Sequence, residues 1–373
     1  MDGVEIVAVE GGTLLDDFID LPWRIYAGYP NWVPPLKKEV RRLLNPRKHP
    51  FWVSAQRALF VARRGRKTVG RIAGIIDRQY NDLHHEKMGI WGFFECMDDP
   101  AAAAALFTAV ETWAQHKGMV FMRGPLNPST NYEVGLLIEG FDYPPALMMA
   151  YNPAYYSRLV ESCGFTKEKD LVAFLIDGDY RLPEWMESLA TRLARKKGIS
   201  IRRFCLKDAD AEFRLVKEIY NASWSENWGF VPLSDREMQD IQKSVMPFAD
   251  PDLAFFIHYE GDPAAVCVIF PDVNPLLKRL NGRVGLLGLL KAILYRREIT
   301  GLRCLIFGVK DTYRQMGLPL LAVRHIYELV RQKPKYRSLE LGWTLEDNEA
   351  VNTLLEEGGA RPYKKYRIFS KSL

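Results

Sequence analysis

Apolar and polar residues alternate with period two along Val4–Val9 and again along Ile199–Phe204, the spacing of a strand with one buried face. Leu59–Asp77 and Phe255–Asp272 each hold two such runs broken by a tight turn, at Arg64-Gly65 and Glu260-Gly261, which predicts two hairpins. Met88–Cys96 and Leu302–Val309 are apolar, β-leaning runs, and Glu340–Trp343 reads as a further strand. After Val309 the period changes. Lys310–Pro319 is polar, and Leu320, Leu321, Val323, Ile326, Tyr327 and Val330 then recur at helical spacing through Arg331, so strand, turn and helix follow in succession. Pro319 suits the first helical turn, where its missing N–H costs nothing. Met88–Cys96 ends differently, in the acidic turn Met97-Asp98-Asp99-Pro100 before an alanine-rich helix.

These patterns repeat at an offset of about 195 residues, which marks two copies of one supersecondary unit. Ile25-Tyr26 and Asn31-Trp32-Val33-Pro34 recur as Ile219-Tyr220 and Asn227-Trp228-Gly-Phe-Val231-Pro232. Val4–Val9 matches Ile199–Phe204, and the two hairpins match each other. Tyr151-Asn152-Pro153-Ala154 through Gly164-Phe165 matches Asn348 through Gly359-Ala360. Strands alternating with helices in each copy predict an α/β fold. The copies join near Asp177–Pro183, which sets the expected domains at 1–180 and 181–373. Two insertions compensate within the offset: Val273–Leu302 in the second copy and Gly124–Met149 in the first.

Composition narrows the class. A chain of 373 residues with 48% hydrophobic and 26% charged residues fits two globular domains, each with its own core. The net charge of +5 suits an anionic ligand or an anionic membrane surface. Five scattered cysteines without CxxC spacing read as reduced thiols, and with no signal-like start they place the protein in the cytoplasm. No run reaches the ~18 apolar residues of a spanning helix. His84-His85-Glu86 lacks the spacing of two metal ligands on one helix face, so no metal is expected. Ser129 has no Gly-x-Ser-x-Gly elbow. The short basic runs, among them Arg195-Lys196-Lys197, read as solvated faces and not as a nucleic-acid module.

Candidate chemistry centres on Arg314-Gln315-Met316-Gly317-Leu318-Pro319. A small residue at 317 lets main chain approach a ligand, and main-chain amides with the positive helix end favour a phosphate or pyrophosphate. The acidic turn of the first copy repels such a group. Here the chain resembles the GNAT acyl-CoA N-acyltransferases, which carry Arg/Gln-x-x-Gly-x-Gly/Ala at this junction; Pro319 departs from the pattern and removes one donor. Asn348-Glu-Ala350, Asn352 and Gly359-Ala360 are similar to that family's later helix, with Leu355 where a tyrosine often stands. Asn227-Trp228-Gly-Phe-Val-Pro, Leu280-Asn281-Gly-Arg, Leu345-Glu-Asp-Asn348 and Tyr366-Arg-Ile-Phe extend the likeness to the bacterial group that includes ceramide synthases. The resemblance implies two tandem GNAT-like units, each a mixed, splayed β-sheet flanked by helices. It implies an acyl-CoA co-substrate held at Gly308, Val309, Arg314, Gln315, Met316, Gly317, Leu318 and Asn348, and an amine acceptor, in the nearest group a sphingoid-type base. Fem-like aminoacyl transfer and acyl-CoA or lipid binding without turnover are the competing implications.

N-acyl transfer needs a deprotonated amine, donors for the oxyanion and a proton for the leaving thiolate. Glu95 and Glu133 are candidate bases. Asn131 and a main-chain amide near Gly308–Val309 are oxyanion candidates. Tyr132, Tyr363 and Tyr366 are candidate acids, since Leu355 has no proton to give. Asn227 and Trp228 are candidates for the acceptor groove. Residues 283–297, an apolar run bounded by Arg283, Arg296 and Arg297 with Lys291 inside it, suit peripheral membrane contact, a flap over a long alkyl chain or an ordinary covering helix.

Overall fold

The first alternating run is strand β1 (Val4–Ala8), antiparallel to β2 (Ala55–Arg64), which forms a hairpin with β3 (Lys67–Asp77). The computed structural model describes residues 3–178, 180–285 and 294–373. β3 pairs with β4 (Met88–Cys96), and β4 lies parallel to β5 (Phe121–Gly124). Helices α1 (Gly12–Ile25), α2 (Lys37–Leu43), α3 (Arg78–His84) and α4 (Pro100–His116) connect these strands. The alanine-rich face of α4 lies close on the sheet: a Cβ at Gly70 would come 2.7 Å from Leu106. Leu106, Phe107 and Val110 meet Ile72, Trp91 and Phe94 in one buried cluster. The first insertion supplies β6 (Leu126–Asn127), β7 (Glu133–Val134) and β8 (Leu136–Glu139), followed by α5 (Tyr156–Ser162) and β9 (Thr166–Asp177).

The second copy repeats this order after a linker helix, α6 (Glu184–Ala194). β10 (Ile199–Arg203), β11 (Ala254–Tyr259), β12 (Asp262–Pro271) and β13 (Gly301–Val309) pair antiparallel in sequence, and β13 is parallel to β14 (Ser338–Leu345). α7 (Ala209–Trp224) and α8 (Asp235–Val245) cover one face, with Ile219 and Tyr220 against Phe256 and Val266. After α9 (Asn274–Leu280), α10 (Leu318–Arg331) packs Leu321, Ala322 and Ile326 into the cluster holding Phe255, Cys267 and Cys304. α11 (Glu349–Glu357) and β15 (Arg361–Ser372) complete the chain.

In each unit the strand pairing is mixed, and in each the parallel pair is short. β4 pairs with β5 only over Met88–Ile90, and β13 with β14 only over Gly301–Cys304. Each long strand therefore runs on past the end of its parallel pairing.

The chain divides into two compact units, but not at residue 180. Unit 1 combines residues 1–171, 274–296 and 364–373; unit 2 combines 172–273 and 297–363. The inserted α9 and the last ten residues thus belong to the first unit, because their buried partners lie there. The Asn274 amide donates to the Pro145 carbonyl at 2.7 Å, and the Trp23 indole donates to Asn281 at 2.8 Å. Most of the apolar stretch within 283–297, residues 286–293, lies outside the described residues. Among the described residues no helix is long and apolar enough to cross a membrane, and no His, Cys, Asp and Glu cluster is placed to hold a metal ion.

Candidate functional site

Each unit carries one constellation at the end of its long strand. In unit 1 the β3–β4 ladder slips: Ala73 lies opposite Gly92, yet Arg71 lies opposite Glu95. One extra residue in β4 makes a bulge, and Phe93 takes φ 51°. The alternation is reset, so that Trp91 and then Phe94 and Cys96 face α4. Glu95 is turned to the opposite face, where α1 lies.

There the Tyr156 hydroxyl donates to Glu95 Oε2 at 2.7 Å and accepts from the Cys96 amide at 3.0 Å. Arg71 stands 3.5 Å from the other carboxylate oxygen and is itself fixed by a 2.6 Å bond to the Phe18 carbonyl of α1. Tyr26 closes the group: its hydroxyl donates to the Tyr151 carbonyl at 3.1 Å and its ring stacks on Trp32 with centroids 4.7 Å apart, while it also acts on the Glu95 carboxyl. Burial pushes the Glu95 carboxyl above its ordinary range; Arg71 and the two tyrosine hydroxyls pull it back in part, and Glu133 adds to the rise. Burial also raises Tyr26 and Tyr156 far above the usual phenol value and lowers Arg71. Such a cluster suits a group that exchanges a proton at mild pH.

The first insertion folds over this bulge. A Cβ at Gly92 would lie 2.0 Å from the Leu126 carbonyl oxygen, and one at Gly124 2.2 Å from that of Trp91. These two glycines are required by close main-chain approach. Asn127 accepts from the Phe93 amide at 2.6 Å and donates to Glu133 at 3.0 Å. Glu133 is thus brought toward Glu95 through Asn127, whereas the Asn131 amide turns back on the Ser129 hydroxyl and Tyr132 packs edge-on to His49 and Phe51. Tyr366 sits fully buried on β15, across from Leu137 of β8. Tyr26, Arg71, Asn127 and Tyr156 are the members that sequence reasoning passed over. Only Tyr156 had a usable signal, since it stands in the first copy's counterpart of the helix where the family's tyrosine occurs.

In unit 2 the ladder slips at the corresponding place, with Val268 opposite Ile306 but Ile269 opposite Cys304. β13 then ends at Gly308 and Val309, and a 3₁₀ turn (Asp311–Met316) leads to Gly317 at φ 75°, ψ 14° and to α10. Gly317 is favoured by its left-handed backbone, and a Cβ there would also press on the flexible end of the Leu193 side chain of α6, 2.7 Å away. Arg314 is held ready-formed: one guanidinium nitrogen donates to the Ser223 carbonyl at 2.7 Å and pairs with Asp311 at 2.7 Å. Gly308 allows α7 to close in, since a Cβ there would stand 3.0 Å from the Ser223 hydroxyl oxygen. Met316 and the fully buried Leu318 anchor the turn in the core. Gln315 lies within the 3₁₀ turn. The amides of Leu320 and Leu321 close on the Gly317 carbonyl at 3.1 and 3.4 Å.

The remaining candidates are placed apart from the turn. Asn348 caps α11, accepting from the Val351 amide at 3.4 Å. Asn227 and Trp228 lie on the turn after α7. Tyr363 bonds to Glu340, whose carboxylate stands 3.5 Å from the buried Arg303 guanidinium where β13 and β14 cease to pair. The equivalent turn in unit 1 is shut: Asp99 caps α4 through the Ala102 amide at 3.1 Å and holds Arg64 at 2.7 Å.

The chain is 34% identical to the bacterial ceramide synthase of Caulobacter vibrioides over 99% of its own length and 98% of that protein's. It is 31% identical to protein YghO of Escherichia coli, covering 96% and 93% of the two chains. Among solved structures it is similar to a tandem GNAT protein from the clavulanic acid biosynthesis pathway (TM-score 0.58, 13% identity, 99% and 98% of the two chains covered). It is also similar to a GCN5-related N-acetyltransferase from Anabaena variabilis (TM-score 0.52, 10% identity, 98% and 72% covered). No family model matches the chain.

Proposed function

The chain belongs to the tandem GNAT family, in the bacterial group that includes a ceramide synthase, and on that premise we propose that it acylates the primary amine of a long-chain, sphingoid-type base from acyl-CoA. It is a GNAT-type enzyme. In this reading unit 2 holds the acyl-CoA and unit 1 serves the amine. The observation that carries it is the turn at Gly317, left-handed and free of side chain, beside the tethered Arg314. Pro319 has no amide and those of Leu320 and Leu321 are used within the helix, so the pyrophosphate draws on Gly317, Leu318 and Arg314.

The amine nitrogen attacks the thioester carbonyl carbon, the C–S bond breaks, and an amide and a free thiol result. Glu95 takes the proton that the amine sheds. Its raised pKa brings it closer to the amine's than an exposed carboxylate would be. Tyr156 on Oε2 and Arg71 beside Oε1 hold the carboxylate in place. Main-chain amides at Gly308–Val309 stabilise the oxyanion. The thiol emerges protonated; Tyr132 and Tyr366 are the tyrosines to test as donors.

Acyl-CoA supplied with sphingoid bases and polyamines, followed by thiol release, tests turnover and acceptor together. Gly317→Trp and Arg314→Glu are both expected to abolish acyl-CoA binding, read as loss of the ligand-induced rise in melting temperature. Unchanged binding in both variants sinks the assignment of the turn. Activity only with aminoacyl-tRNA supports the Fem-like alternative, and tight binding without thiol release supports a binder.

A further inference from the structure

One stretch at the junction of the two copies is strongly basic. Between Thr191 and Arg203 there are six basic residues and no acid. Two of them are neutralised: Arg202 pairs with Glu212 at 2.8 Å and Arg203 with Asp252 at 3.0 Å. The other four, Arg192, Arg195, Lys196 and Lys197, are exposed. Among the described residues none of these four has a carboxylate partner. Cations in a last helical turn offset the helix dipole, but that effect fades within the turn, and Arg195, Lys196 and Lys197 follow the last residue of α6.

This charged end lies against the turn assigned to pyrophosphate. Leu193, one residue on from Arg192, is the side chain that occupies the space beside Gly317. Lys196 reaches over the Tyr259 ring, 5.6 Å from its centroid, and Tyr259 packs on Tyr313 of the 3₁₀ turn with centroids 5.9 Å apart. α6 lies in the segment that links the two repeated copies. It therefore adds to the turn something that strand, turn and helix do not supply by themselves.

Coenzyme A carries, besides its pyrophosphate, a phosphate monoester on the ribose, which bears close to two negative charges at neutral pH. We propose that Arg192, Arg195, Lys196 and Lys197, at the end of α6, form a subsite for that phosphomonoester beside the Gly317 turn. The proposal rests on the reading of that turn as the pyrophosphate site. Several unpaired cations converging on a dianion form charge-assisted contacts, and their exposure makes the contribution sensitive to salt.

The test compares coenzyme A with dephospho-coenzyme A, which differs only in lacking that phosphate, by calorimetric titration of the full chain. Wild type is expected to favour coenzyme A by about tenfold, the order set by one or two charge-assisted phosphate contacts. In R195A/K196A/K197A both ligands are expected to bind with the affinity wild type shows for dephospho-coenzyme A. Raising salt should shrink the wild-type preference in the same direction. The altered residues are exposed, and an unchanged melting curve confirms the fold of the variant. Equal binding of both ligands by wild type overturns the subsite alone, as does a preference that survives the triple substitution. Equal weakening of both ligands in the variant shows a diffuse field and overturns it too. Failure of wild type to bind either ligand brings down the reading of the Gly317 turn, and the subsite with it.

Discussion

Glu95 owes its position to a single extra residue. In an unbroken strand it would share a face with Trp91 and Phe93 and point toward α4; the bulge sends it to the side of Arg71 and Tyr26. The consequence for stability has a definite sign. Burial raises the carboxyl's folded-state pKa, so the folded protein binds this proton more tightly than the unfolded chain. Its contribution is greatest below the ordinary carboxylate range and falls as pH rises through the raised value. The Glu95→Gln variant is neutral at every pH. Its melting temperature should decline less than that of wild type from mildly acid to alkaline pH, while turnover drops by about 10²–10⁴-fold, the usual worth of a general base. Turnover within a few-fold of wild type would remove Glu95 from the mechanism. A wild type whose activity shows no rise with pH over the raised titration would do the same.

At the scale of elements, two homologous turns have diverged by what occupies the helix start. In unit 2 it is Gly317, and no side chain caps the helix there. In unit 1 it is Asp99, whose carboxylate takes the Ala102 amide and pairs with Arg64. The bond from Arg64 holds the Asp99 carboxyl below its usual range, so this cap contributes above the unfolded pKa and is lost as pH falls through the folded one. Asp99→Ala should cost about 1 kcal/mol near neutral pH, as cap deletions do. Asp99→Asn should restore most of that, both read from urea denaturation midpoints. No loss in Asp99→Ala would mean the cap is redundant with Pro100 at the first position. Elements such as β4 and α10 were legible in sequence because their signals are local, an apolar run or a 3.6-residue period bounded by Asp-Pro or Gly. The Gly317 turn was legible for the same reason. The group around Glu95 was not, because Tyr26, Arg71 and Tyr156 come from three elements and are gathered by a bulge that leaves no mark in composition. Asn131 was a reasonable choice from a polar loop, yet Asn127 meets the bulge, since loop geometry decides which of two asparagines faces the strand.

For the whole molecule, the repeat located two copies but not their physical partition. A run of sequence identifies a strand; only its burial partners identify the unit to which it belongs. Residues 364–373 follow the second copy in sequence and complete the first unit. Phe369 pairs with Gly124 of β5, Arg367 holds Asp170 at 2.8 and 2.9 Å, and the Lys364 ammonium donates to the Pro144 carbonyl at 2.7 Å. Tyr366, Ile368 and Phe369 are wholly buried there. At about 1.5–3 kcal/mol for each large apolar side chain, these three amount to a large part of the roughly 5–15 kcal/mol that holds a domain together. The segment at 274–282 adds to this, since Gly282 lets the chain pass so near Trp23 that a Cβ would lie 2.3 Å from the indole. A fragment of residues 1–180, the division that the repeat suggests, therefore lacks both a strand and a docked segment. It should show no cooperative thermal transition and no near-ultraviolet circular dichroism, whereas the full chain shows both. Deleting 364–373 from the full chain should destabilise unit 1 selectively, seen as loss of hydrogen-exchange protection in β2–β5 while β11–β13 stay protected. A sharp melt of fragment 1–180 would mean that β1–β5 with α4 suffice as a core, and the exchanged strand would then be an accessory to the fold.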